Sequence, residues 1–137
     1  MGWVDGLKGH VVGLDTAPLI QYTERNKIYF DVVKPFFSRI GNNEFTVVTS
    51  IVSLLEVLVI PKRRGDTELA QTYRDILFDT EGLETVFLKQ EIAEEAARLR
   101  AFHKIRTPDS IQMATAIKMN ATYFLTNDLR FTIVTRT

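Results

Sequence analysis

Four acidic residues stand where a carboxylate can do more than face water: Asp15, Glu56, Asp109 and Asp128. Asp15 closes the apolar run Val11-Val12-Gly13-Leu14, and Asp128 follows Tyr123-Phe124-Leu125-Thr126-Asn127. Asp109 falls just after the helix-start pair Thr107-Pro108, and Glu56 is the one ionisable side chain between Ser50 and Ile60. Other acids, such as Glu91, Glu94 and Glu95, share a polar helix face and read as solvated. Taken singly, each of the four has a plain structural explanation. Asp15 can cap a helix, Asp109 can complement a helix dipole, Asp128 can serve a turn, and Glu56 can be a half-exposed helix residue. Taken together they carry more. Two unit charges about 4 Å apart repel by ~4 kcal/mol at an effective dielectric near 20, so a converged cluster calls for a counter-charge. Oxygen-only donors select magnesium, manganese or calcium over zinc. Water and a phosphodiester oriented by such an ion undergo in-line hydrolysis, so the expected chemistry is phosphodiester cleavage.

The elements needed to gather these residues can be read from the pattern. Val11 to Leu14 predicts a buried strand running into a helix capped at Asp15 and extending to about Arg25. Phe30, Val33, Phe36, Phe37 and Ile40 recur at helical spacing, closed by Gly41-Asn42-Asn43. Phe45 to Thr49 predicts a second strand, with Ser50 capping an apolar helix that Pro61 is expected to break. Asp66 to Phe78 predicts a helix, Thr85 to Leu88 a third strand, and Glu91 to His103 another helix. Thr107-Pro108 opens a helix to about Asn120, because proline tolerates the first helical turn. Tyr123 to Thr126 predicts a fourth strand, and Phe131 to Val134 a short fifth. Strands alternating with helices imply a three-layer α/β/α sandwich around a central parallel sheet of four to five strands. Ligands of such sheets bind beyond the carboxyl ends of the strands, where these acids fall.

The 137 residues fit one domain, spanning 1–137, whose 45% hydrophobic and 25% charged content is that of a globular protein. Seventeen basic and seventeen acidic residues leave no net field to attract nucleic acid or membrane, so any such contact must be local. With no cysteine there is no disulfide framework or thiolate site, which suits a reducing compartment. The N-terminal segment lacks the basic start and apolar run of an export signal, and no apolar stretch approaches the ~20 residues of a membrane span. A cytoplasmic location without membrane association is therefore expected, and the acceptor pattern Asn120-Ala121-Thr122 carries no weight. His10 and His103 read as surface residues. No glycine-rich phosphate loop or Gly-x-Ser-x-Gly elbow is present.

Four segments in order, Val12-Gly13-Leu14-Asp15-Thr16-Ala17-Pro18-Leu19-Ile20, Thr49-Ser50-Ile51-Val52-Ser53-Leu54-Leu55-Glu56-Val57, Pro108-Asp109-Ser110-Ile111-Gln112-Met113-Ala114-Thr115-Ala116 and Leu125-Thr126-Asn127-Asp128, resemble the motifs of the PIN-domain family. The likeness is greatest to the short ribonuclease toxins of the VapC type and spans nearly the whole chain. That resemblance implies a PIN-like fold in which Asp15, Glu56, Asp109 and Asp128 are the acidic catalytic and metal-binding residues. It implies Thr126 orienting one of them, with Thr16 and Asn127 as further supporting groups. It also implies Mg2+ or Mn2+ as cofactor, RNA as substrate, a homodimer, and a small antitoxin protein as partner. The segment after Phe131-Thr132-Ile133-Val134 is shorter than relatives lead one to expect.

Lys62-Arg63-Arg64 beyond the Glu56 helix, and Lys104 and Arg106 ahead of Asp109, are candidate phosphate contacts, although basic turns are ordinarily just solvated. Two other readings stand beside the nuclease. One is a phosphoryl-transfer protein with an aspartyl-phosphate at Asp15, since receiver and haloacid-dehalogenase folds also place an aspartate after strand one. The other is a module that binds RNA or protein without cutting.

Overall fold

The computed structural model describes residues 2–126 and the backbone of 131–133. Its elements run β1 (Val11–Leu14), α1 (Thr16–Thr23), α2 (Phe30–Arg39), β2 (Thr46–Ser50), α3 (Val52–Arg64), α4 (Thr67–Asp79), β3 (Leu83–Val86), α5 (Gln90–Phe102), α6 (Thr107–Lys118), β4 (Tyr123–Leu125) and β5 (Phe131–Ile133). The strands form one sheet in the order β3-β2-β1-β4-β5. The first four are mutually parallel, and β5 pairs antiparallel with β4. The expected parallel sheet is thus four strands with an antiparallel edge. A link of five residues between β4 and β5 is too short for a parallel crossover and long enough for a reversal.

Alternation along the strands divides the core. Val12, Leu14, Val47, Leu83 and Leu125 point to one face and pack with Leu19, Phe36, Val57, Tyr73 and Leu77 of α1 to α4. Val48 and Val86 point to the other and pack with Ile92, Ala96 and Leu99 of α5 and Ala114 and Ile117 of α6. The period-two switch between Val47 and Val48 is what a sheet covered on both faces requires. From β1 the chain steps to β2 and β3, then returns across the opposite face to β4 on the other side of β1. That reversal makes the carboxyl ends of β1 and β4 the switch point of the sheet, where α/β folds leave a crevice.

Two differences from the sequence expectation have clear causes. Pro61 does not end α3, which continues to Arg64. Proline fits the helical φ, its ring is buried, and the stop comes at Gly65, whose φ of 68° only glycine adopts easily. The Asp66 N–H then reaches back to the Pro61 carbonyl at 2.9 Å, and the Asp66 carboxylate caps α4 by accepting from the Leu69 N–H. A short 3₁₀ helix at Trp3–Leu7 was not anticipated, because five residues cannot show a helical period. It buries Val4 and Leu7, and Trp3 stacks on Phe36 with ring centroids 6.0 Å apart.

Among the described residues, no helix is long and apolar enough to cross a membrane.

Candidate active site

Asp15 is the residue at which β1 becomes α1. Its own N–H bonds to the Leu125 carbonyl at 2.9 Å, which fixes the end of β1 beside the end of β4. Its Oδ1 accepts the Thr16 N–H at 2.8 Å, an N-cap, and its Oδ2 accepts the Thr126 hydroxyl at 2.9 Å. A carboxylate oxygen has two lone-pair positions, so each oxygen keeps one for another partner. Both the capping role and a ligand role are therefore compatible at Asp15. Burial raises its pKa; the Thr16 N–H and the Thr126 hydroxyl act against this, and the negative charge of Asp109 adds to the rise.

Glu56 lies in the second turn of α3, close to the carboxyl end of β2. The Thr16 hydroxyl donates to its Oε1 at 2.6 Å, so α1 and α3 meet through this carboxylate. Glu56 is half-buried, and its apolar neighbours in sequence do not enclose it. Leu55, Val59 and Ile60 are 67%, 45% and 48% exposed, leaving an apolar stripe on the outer side of α3. Asp109, in the first turn of α6, accepts from Arg106 Nε at 3.2 Å, with the arginine side chain 80% exposed. An ion pair that wet is weak and yields readily to another partner.

Asp15, Thr16, Glu56, Arg106, Asp109 and Thr126 line a single cavity of about 600 Å³, whose other walls are Ala17, Ile20, Ile105, Met113 and Phe124. The apolar walls lower the local dielectric and strengthen every charge interaction inside. The donor set toward the cavity is carboxylate and hydroxyl oxygen with no imidazole or thiol, which fits a hard divalent cation. Among the described residues no three acidic or imidazole groups are drawn tightly enough to cage an ion by themselves. Asn127 and Asp128 lie outside the described residues.

The five candidate basic residues separate. Arg106 is at the cavity. Lys62, Arg63 and Arg64 are exposed in the last turn of α3, about 9–12 Å of helix beyond Glu56 at 1.5 Å per residue, and Lys104 is exposed on the α5–α6 loop. His10 stands edge-on to Tyr123 with ring centroids 5.1 Å apart, and His103 is exposed; neither lines the cavity.

Beneath the cavity floor is a layer the sequence reading did not single out. Thr49, Ser53 and Gln112 are buried and hydrogen-bonded to one another and to Thr16. Gln112 offered the same signal as Glu56, a polar side chain in an apolar helical stretch.

The family model of the PIN domain matches residues 12–136. The chain belongs to the PIN-domain family. The same PIN fold is found in solved structures that cover most of both chains. A toxin-antitoxin complex from Klebsiella pneumoniae aligns with 23% identity over 85% of this chain and 84% of that one, at a TM-score of 0.62. VapBC2 from Rickettsia felis, bound to a DNA fragment from its promoter, aligns with 20% identity over 85% and 87%, at 0.63. VapC20 from Mycobacterium tuberculosis, a sarcin-ricin loop cleaving toxin, aligns with 15% identity over 87% and 92%, at 0.69. No curated protein sequence matches the chain. In this PIN domain, three of the four motif acids border one cavity at the switch point of the sheet.

Proposed function

We propose that the protein is a divalent-metal-dependent endoribonuclease, the toxin of a toxin-antitoxin pair. The observation that supports this most is the convergence of Asp15, Glu56 and Asp109, 94 residues apart from first to last by number (109 − 15), on one cavity. Asp128 is added as a fourth ligand on the strength of its motif alone. An Mg2+ or Mn2+ ion held by these carboxylates supplies charge neutralisation and activation of water for in-line attack on phosphorus.

The chain's own groups have distinct duties in this reading. The Thr16 N–H and the Thr126 hydroxyl hold the Asp15 carboxylate at two points, and the Thr16 hydroxyl holds Glu56. Asp109 sits on the first turn of α6, at the edge of the cavity. Arg106, largely in solvent at the cavity, exchanges its pair with Asp109 for a phosphate of the RNA. Ile20, Ile105 and Met113 restrict water at the reacting bond. Lys62, Arg63, Arg64 and Lys104 extend the phosphate track, and Asn127 supports the acids. The exposed stripe of Leu55, Val59 and Ile60 supports a protein partner, either a second copy in a homodimer or an antitoxin, as the toxin-antitoxin neighbours have. An aspartyl-phosphate at Asp15 gains less support, because the family model that matches residues 12–136 is the PIN domain and not a phosphoryl-transfer fold.

The test is cleavage of mixed RNA with manganese, with magnesium and with chelator. Chelation should abolish cleavage, and Asp15→Asn or Asp109→Asn should lower it about a hundredfold or more with an unchanged circular-dichroism spectrum, the scale of several kcal/mol of transition-state stabilisation. Cleavage that survives chelation would overturn the metal mechanism. Full activity in either variant would make that residue a cap only.

A further inference from the structure

We propose that Gln112 is a positioning residue that anchors a buried hydroxyl chain and thereby fixes the place of Thr16, whose hydroxyl holds Glu56. The inference rests on the proposed metal site, whose ligand Glu56 it orients. Gln112 projects from α6 one turn after Asp109 and is 2% exposed. Its Oε1 accepts from the Ser50 backbone N–H at 3.3 Å and lies 3.5 Å from the Thr49 hydroxyl. A backbone N–H can only donate, so this contact decides which end of the amide is oxygen. The Nε2 end therefore faces Ser53 Oγ at 2.6 Å and Thr16 Oγ1 at 3.4 Å, and it donates to both.

The remaining protons then follow in order. Thr49 gives its single hydroxyl proton to the Leu14 carbonyl at 2.8 Å. In the 2.9 Å contact between Thr49 and Ser53, Ser53 must then be the donor. Thr16, receiving from Gln112, is left with its proton free for Glu56 Oε1 at 2.6 Å. No hydroxyl is asked to donate twice in this arrangement, which uses the shorter contacts and leaves the 3.4 Å approach of Thr16 to Ser53 without a proton of its own. Thr49 and Ser53 are almost fully excluded from water, and Thr16 is 7% exposed where it borders the cavity, so the inner links of the chain depend on one another for hydrogen bonds. Glu56 Oε1 is thus tied to a hydroxyl whose own place is fixed from α6, and Glu56 lines the cavity.

Manganese titrated alone into the protein by isothermal calorimetry tests this. In the Gln112→Met variant, which keeps volume but removes donor and acceptor, affinity should fall by up to about tenfold, the loss that follows removal of a ligand's own hydrogen-bond partner, since Gln112 acts on Glu56 through Thr16. The fall should vanish when both proteins also carry Glu56→Gln, because the amide then has no ligand to orient. Should Gln112→Met fold poorly, Gln112→Asn, a methylene shorter and so drawn back from Thr16 and Ser53, should lose affinity in the same way. Unchanged affinity in Gln112→Met, or an equal fall with and without Glu56, overturns the inference while leaving the metal site intact. Wild-type protein that binds no manganese overturns the metal reading itself and the positioning role with it.

Discussion

Burial pushes the Asp15 carboxyl above its ordinary range, with the charge of Asp109 adding to the effect against the hydrogen bonds of Thr16 and Thr126. A raised folded-state value means that the metal-free fold is favoured while Asp15 is protonated. The advantage is fully present below the unfolded value and is lost as pH rises through the folded one. Asp15→Asn keeps the shape without the charge. Its melting temperature in chelator should therefore match wild type in acid and exceed it at neutral pH, as measured by calorimetry across pH 3 to 8. A variant that melts lower than wild type at neutral pH would show that the two hydrogen bonds outweigh the penalty. At this scale Asp15, Glu56 and Asp109 were legible because acids in otherwise apolar settings require explanation. Gln112 carried a like signal within α6, but its network with Ser53 and Thr49 was not legible, since neutral polar groups are common in helices and strands and their worth lies in partners on other elements. Around Glu56, Leu55, Val59 and Ile60 turn outward while Ser53 and Val57 turn in, a helical periodicity that a run of apolar letters conceals.

The elements deliver these side chains through close contact of α6 with β1. At Gly13 an added Cβ would stand 2.7 Å from the Ala116 Cβ and 2.9 Å from Phe124 Cδ1. Asp109, Gln112, Met113 and Ala116 fall at helical spacing on α6, so the face that packs on Gly13 also carries the acid and the amide. Gly13→Ala should cost about 1–3 kcal/mol in chemical denaturation, the range of overpacking in a filled interior, by forcing α6 off the sheet. An unchanged denaturation midpoint would mean that Phe124 yields without moving the helix. Element order was legible from periodicity and caps, and most boundaries fell within two or three residues of their observed places. Where boundaries slipped, tertiary contacts decided. Pro61 is kept inside α3 by its buried face, and β3 begins at Leu83 because Gly82, with φ of 86°, packs against Gly41. The antiparallel direction of β5 had no signature in its own three residues and follows from the length of the link before it.

At the scale of the whole molecule, the path of the chain across its sheet brings distant acids together. Reversal of strand order between β1 and β4 opens the crevice, and the four parallel strands deliver their carboxyl ends to one edge. Net charge is zero, so the proposed RNA substrate would be attracted by Arg106 and its neighbours, and by the acids once a cation neutralised them, not by a global field. Substoichiometric manganese added to isotopically labelled protein, followed by amide line broadening in two-dimensional NMR, locates the ion directly. Amides around Asp15, Glu56, Asp109 and Thr126 should broaden first, and chelator should restore them. Broadening centred on the exposed acids of α5, such as Glu91 and Glu94, or spread evenly over the surface, would contradict this placement.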